Sequence, residues 1–182
     1  MSKIDPNEQR DFVPVNIAVL TVSDSRTLDD DRSGGVLVER LGKAGHNLAD
    51  RAIVSDDEDK IVERLQNWIS DPAIQVVIAT GGTGVTGRDV TPEAFAQVYE
   101  KEIQGFGEIF RLQSYDKIAT STIQSRATAG IANGTYLFAV PGSPGACKDA
   151  WDGILEAQLD YRTKPCNFVE LMDRLLEGRE GR

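Results

Sequence analysis

The chain has 182 residues, of which 40% are hydrophobic and 27% charged, enough for one ordinary globular domain or at most two small ones. Its 20 Lys and Arg stand against 29 Asp and Glu, giving a formal charge of -9, and it has a single histidine. That balance is a poor match for nucleic-acid backbone, leaves His46 as the only imidazole for a catalytic triad, and makes a His-rich zinc site implausible. Two distant cysteines, Cys147 and Cys166, offer neither a CxxC pair nor a disulfide framework. The opening MSKIDPNEQRDF lacks an apolar h-region, and no stretch approaches the ~20 apolar residues of a membrane span. A cytoplasmic protein with reduced thiols, no membrane and no nucleic-acid partner is the expectation.

In chain order, residues 1–13 read as a flexible polar arm ahead of one domain over 14–176 and a short tail over 177–182. From Val15, VNIAVLTV is a short β-branched run that predicts a buried strand. A polar loop follows, and Ser33 is placed to cap a helix carrying Val36, Leu37, Leu41 and Ala44 that stops near Gly45. A second strand is expected over His46–Val54. A helix with Ile61, Leu65, Trp68 and Ile69 at helical spacing then runs to Asp71-Pro72. Gln75–Thr80 predicts a third strand, running straight into Gly81-Gly82-Thr83-Gly84, and Thr91-Pro92 opens the next helix. Glu102 to Asn133 reads as helical without a clear pattern. TYLFAV (Thr135–Val140) is the last predicted strand, followed by PGSPG, a helix through Trp151, Ile154, Leu155 and Leu159, and another around Leu171 and Leu175. Strands alternating with helices of this length predict an α/β fold: three layers, α/β/α, around a mostly parallel central sheet.

Ligands of an open α/β sheet bind beyond the carboxyl ends of its strands. Four predicted strands end in small, polar or glycine-rich loops: Ser23-Asp24-Ser25, Ser55-Asp56-Asp57, Gly81 to Asp89, and Pro141 to Gly145. If the strands are parallel, all four loops share one edge. Gly82 to Gly87 satisfies GxGxxG, but Arg88-Asp89-Val90 separates it from the next helix, unlike a dinucleotide fold. The same span has P-loop spacing, yet Arg88 and Asp89 stand where lysine and a hydroxyl are required. What remains is a backbone nest able to approach a phosphate, beside the cation of Arg88.

Asp56 and Asp89 lie in two of these loops, and converging carboxylates beside a phosphate nest suit Mg²⁺. Asp56 also admits a plain reading, as a cap for the second helix within the acidic run Asp56 to Asp59. His46 reads as a packing or surface residue, Cys147 as a small buried one, and Trp68 and Trp151 as core. Nothing in the pattern separates Arg111 and Arg126 from surface arginines.

TVSDSR, the D-x-SG of Asp31 to Gly34, AIVSDD, TGGTGVTGRDVTPE and PGSPGA occur in order, and together they resemble the MogA/MoaB family of molybdenum-cofactor biosynthesis proteins, related to the G domain of gephyrin. The resemblance covers about residues 15 to 170, and GFGEIFRLQSY, TSTIQSRATAGIAN and RTKPCNF look more like MoaB than MogA. It implies an α/β domain and adenylylation of molybdopterin by Mg-ATP, with pyrophosphate released and a molybdenum-insertion enzyme using the product. The family's functional aspartates fall on Asp56 and Asp89, also the residues implied for Mg²⁺. Its glycine motif falls on Gly81, Gly82, Thr83 and Gly84, and its molybdopterin-side loops on Ser23 and on Pro141, Gly142 and Ser143, with Asp24 and Arg88 beside them. The family implies homotrimers, or hexamers of paired trimers. Some MoaB proteins lack the acidic residues and are thought not to catalyse the step; this sequence keeps both, and departs at Ser55, where proline is common. The alternatives are a non-catalytic molybdopterin carrier and, more remotely, a scaffold role like that of gephyrin.

Overall fold

The computed structural model of the protein describes residues 9–178. A six-stranded sheet runs in the order β2-β1-β3-β6-β5-β4. Its strands are β1 (Asn16–Val22), β2 (Asn47–Val54), β3 (Val76–Thr80), β4 (Lys101–Glu102), β5 (Thr128–Ala132) and β6 (Thr135–Val140). The neighbours β2, β1, β3 and β6 are mutually parallel, whereas β5 and β4 extend the sheet antiparallel beyond β6.

The helices are α1 (Arg32–Ala44), α2 (Glu58–Ile69), α3 (Thr91–Val98), α4 (Gln104–Ile118) and α5 (Pro144–Ala150), the last continuing through a π-helical turn at Trp151–Leu155 into Glu156–Gln158. Alternation along the strands sorts the core into two faces. Ile17, Val19, Val76, Ile78 and Phe138 pack with Leu37 and Leu41 of α1, Phe106 and Phe110 of α4, and Trp151. Ala18, Leu20, Val77, Ala79 and Leu137 pack with Ile61, Leu65 and Trp68 of α2 and Phe95 of α3. The three-layer α/β/α architecture is thereby realised. Among the described residues, no helix is long and apolar enough to cross a membrane.

Several local expectations change. The cap of α1 is Asp31, not Ser33: its carboxylate reaches the Gly34 N–H at 2.9 Å, the distance a cap must span, whereas Ser33 already lies inside the helix. Gly45 ends α1 in the left-handed region, at φ 91°. The stretch 102–133 is not wholly helical. It holds α4, a 3₁₀ segment at Ala119–Gln124 and strand β5. The expected helix around Leu171 and Leu175 is a 3₁₀ turn, Val169–Arg174. Within the described end of the expected arm, Arg10 bonds Glu170 at 3.3 Å and Phe12 packs on His46, with ring centroids 5.1 Å apart. Residues 1–8 and 179–182 lie outside the described residues.

Candidate active site

Because β2, β1, β3 and β6 are adjacent and parallel, the loops that leave their carboxyl ends meet along one edge. The β1 and β2 loops clasp each other. The Asp24 backbone N–H donates to Asp56 Oδ2 at 3.0 Å, and the Asp56 N–H donates to Asp24 Oδ1 at 3.1 Å. Arg88 reaches across from the β3 loop and pairs with the Asp24 carboxylate. Ser23 shapes its own loop, its hydroxyl oxygen accepting the Ser25 N–H at 3.3 Å.

This clasp separates the two acids electrostatically. The Arg88 hydrogen bond holds the Asp24 carboxyl below its ordinary range. Asp56 is pushed the other way, first by burial, then by the charge of Asp24 and, more weakly, that of Asp89. The plain reading of Asp56 as a helix cap does not hold: α2 is capped by Asp57, whose carboxylate accepts the Lys60 N–H at 3.2 Å. Asp56 is left facing the glycine loop. A Cβ on Gly82 would stand 3.4 Å from its Oδ1.

The β3 loop requires its glycines. Gly81 and Gly82 have φ of 106° and 61°, a region side chains disfavour, and a Cβ on Gly81 would collide with the Val22 carbonyl oxygen. Thr91, buried at the start of α3, fixes the bend by donating its hydroxyl to Gly81 O at 2.8 Å and its N–H to Gly82 O at 3.0 Å. The β6 loop lies directly against it, for a Cβ on Gly142 would be 3.1 Å from Gly81 Cα. Ser143 caps α5 by accepting the Ala146 N–H at 3.1 Å.

Asp89 closes the same loop. Its Oδ2 accepts the Thr86 hydroxyl at 2.6 Å and the Thr86 N–H at 2.8 Å, and the Thr86 hydroxyl is the main reason its carboxyl stays below the ordinary range. The two carboxyls are thus shifted in opposite directions, Asp89 down and Asp56 up.

A cavity of about 550 Å³ opens beside these loops. Gly82, Thr83, Gly84 and Asp89 form one side with Pro141, Gly142 and Ser143. Ser114 and Lys117 of α4, Ser121 and Gln124 of the 3₁₀ segment, and Ser125 just after it form the other. Among the described residues Lys117 is the only cation lining it, and it is paired with Asp149. Ser23, Asp24, Asp56 and Arg88 do not line this cavity. They make an adjoining polar shelf, joined to it through Gly82 and Asp89. The far wall was not legible as a site, since scattered Ser, Gln and Lys between helices carry no spacing signal.

Among the described residues, no three His, Cys, Asp or Glu side chains gather as a metal site. Asp56 and Asp89 both lie against the glycine loop, beside Gly82 and Gly84, and carboxylate oxygens there are hard donors of the kind Mg²⁺ takes when phosphates and water supply its other ligands. Cys147 and His46 play packing roles. The Cys147 thiol is buried 3.1 Å from the Thr80 hydroxyl, and burial pushes its pKa up to about 12. His46 is buried with Nδ1 accepting the Val15 N–H at 3.2 Å, and burial lowers its pKa.

A family model described as a probable molybdopterin binding domain matches residues 18–161. Molybdenum cofactor biosynthesis protein B of Escherichia coli strain K12 is 49% identical over 158 residues, covering 87% of this chain and 93% of that relative. A crystal structure of a molybdenum cofactor biosynthesis protein B has a TM-score of 0.81 at 35% identity, covering 90% of this chain and 96% of its own. The tungsten cofactor synthesizing protein MoaB from Pyrococcus furiosus has a TM-score of 0.70 at 36% identity, covering 78% and 91% respectively. With a matched domain, close relatives and shared architecture, this chain belongs to the MogA/MoaB family.

Proposed function

We propose that the protein acts in molybdenum cofactor biosynthesis as a molybdopterin adenylyltransferase, using Mg-ATP and releasing pyrophosphate. The observation that carries this reading is the placing of two carboxylates against one glycine loop: Asp56 beside Gly82, and Asp89 beside Gly84 where Thr86 donates to it. The cavity of about 550 Å³ beside them has the size and mixed lining of a small-molecule site.

The chemistry suits a site without a histidine base. A phosphate monoester has a second pKa near ~6 and is largely dianionic at neutral pH. Its oxygen can attack the α-phosphorus of ATP without giving up a proton; the new P–O–P bond forms as the bond to the leaving pyrophosphate breaks. The protein's work is then alignment and charge neutralisation. Gly81, Gly82 and Gly84 keep the loop free of side chains, so backbone can approach phosphate closely. Arg88, already steered by Asp24, supplies a cation at the shelf, and Lys117 supplies one in the cavity. Thr83, Pro141, Gly142 and Ser143 line the place where molybdopterin would lie. Mg²⁺ arriving with ATP would be held by Asp56 and Asp89, and it supplies charge neutralisation on the transferring phosphates.

The protein is proposed to work in the cytoplasm as a homotrimer or hexamer and to hand its product to a molybdenum-insertion enzyme. Leu112 and Ile123, 66% and 75% exposed, leave an apolar surface on α4 and the segment after it that self-association would cover. A monomer in light scattering would contradict the assembly. The catalytic reading is tested by pyrophosphate release from Mg-ATP and molybdopterin. Tight molybdopterin binding without ATP-dependent turnover would identify a carrier instead.

A further inference from the structure

Arg126 stands at the entry to β5, outside all four loops, yet it grips one of them repeatedly. Its backbone N–H donates to Thr83 O at 2.9 Å. Its guanidinium donates from Nε to Gly84 O at 2.6 Å and from Nη2 to Asp89 O at 2.7 Å, while Nη1 pairs with Glu93 of α3. Gly84 and Asp89 are the two ends of the segment that carries Thr86, Arg88 and the Asp89 carboxylate. One planar fork therefore staples both ends of that segment, a geometry the single ammonium of lysine does not reproduce.

The clamp has an electrostatic side. Backbone carbonyl oxygens bordering a site for phosphates would repel an incoming anion, and Arg126 engages two of them with a cation. It does not line the cavity of about 550 Å³, although its neighbour Ser125 does. Arg126 instead faces a separate groove of about 780 Å³ between α3 and α4 and a smaller hollow beside Val85 to Val90. Any effect on the reaction must pass through the loop.

We propose that Arg126 is the positioning residue of the transfer reaction, stapling Gly84 to Asp89 so that the Asp89 carboxylate and Arg88 are held in register with the bound phosphates. The inference rests on the adenylylation reading and adds to it a residue from the antiparallel side of the sheet that does not line the cavity.

The test is steady-state kinetics with Mg-ATP and molybdopterin on the wild type, Arg126→Gln, Arg126→Lys and Glu93→Gln, each shown to be folded by its unfolding midpoint. Misplacement of reacting groups by about 1 Å can cost on the order of 10²-fold, so Arg126→Gln is expected to lose about 30- to 100-fold in kcat while KM for ATP moves less than about threefold. Arg126→Lys should recover part of the loss, because one carbonyl can still be engaged. Glu93→Gln, which leaves both carbonyl bonds in place, should lose less than about threefold. Wild-type kcat in Arg126→Gln, or a loss confined to KM, would overturn the inference. If the wild type itself shows no turnover, the adenylylation reading fails, and amide hydrogen exchange over residues 84–89 decides the clamp separately. Faster exchange there in Arg126→Gln, with β6 unchanged, would support it, and unchanged exchange would overturn it.

Discussion

The carboxyl ends of the parallel strands and the region of α4 and the 3₁₀ segment line one cavity by different means. On the parallel side, β1, β2, β3 and β6 end together, and their loops interlock through backbone: Asp24 with Asp56, Gly81 against Gly142. On the other side, α4 contributes Ser114 and Lys117, the 3₁₀ segment contributes Gln124, and Ser125 follows it, polar side chains on ordinary elements. Under the proposed function the first wall, held by contacts between its own loops, would position the phosphates. The second, built of side chains, would recognise what the phosphates are attached to. The difference predicts that damage to the first wall abolishes the fold or turnover, and damage to the second shifts affinity.

The largest effect is expected from Gly81→Ala. A Cβ there meets the Val22 carbonyl oxygen, and Gly81 has φ of 106°, so neither the β1 strand end nor the loop can give way cheaply. Strain of this kind costs about 1–3 kcal/mol before the clash is counted. Thermal unfolding should show a clear drop in midpoint or no cooperative transition, and a wild-type midpoint would break the picture of backbone packed on backbone.

Asp89→Asn should keep ligand binding and lose most turnover, on the order of 10²-fold in kcat, in line with removing one fixed charge from a preorganised site. An unchanged rate would remove Asp89 from the mechanism. Asp56→Asn should lose turnover similarly and yet gain stability at neutral pH, since its charged form is disfavoured by burial and by Asp24. The sign follows from the raised pKa: ionising Asp56 costs stability as pH rises through the carboxylate range, and the cost vanishes below it. The variant should therefore melt higher than wild type at pH 7 and equally at about pH 3, below the ordinary carboxylate pKa. A lower melting point at pH 7 would contradict the assignment.

Lys117→Gln tests the second wall. Losing this lining cation should weaken molybdopterin binding about tenfold, roughly 1.4 kcal/mol, and Asp149→Asn, which frees Lys117, should shift binding in the opposite direction. Two shifts of the same sign would show that the pair is only a surface contact. The smallest expected effect is chemical: a thiol reagent at pH 8 should label exposed Cys166 and spare buried Cys147, whose thiol pKa is pushed up to about 12.

The same contrast explains what the sequence made legible. The parallel strands are short apolar runs ending in loops of distinctive composition, so strand, edge and candidate residue could be read together. β5 is Thr128–Ala132, TAGIA, with small residues where a strand signal needs bulk, and β4 has two residues. α4 buries Phe106 and Phe110 on one side and leaves Ile109, Leu112 and Ile118 exposed on the other, so no single apolar stripe marks it. Arg126 lies 37 residues from Asp89, and only the folded chain brings its guanidinium to the loop. The acidic composition was legible but local in meaning. Asp24 steers Arg88, Asp31 and Asp57 cap helices, and Asp56 and Asp89 face the site.

Pyrophosphate release from Mg-ATP measures most directly whether the two carboxylates at the glycine loop support adenylyl transfer. With wild-type protein and molybdopterin, release should depend on both substrates and fall to background in Asp56→Asn and Asp89→Asn. Release no faster than a protein-free control, or equal release from wild type and both variants, would contradict it.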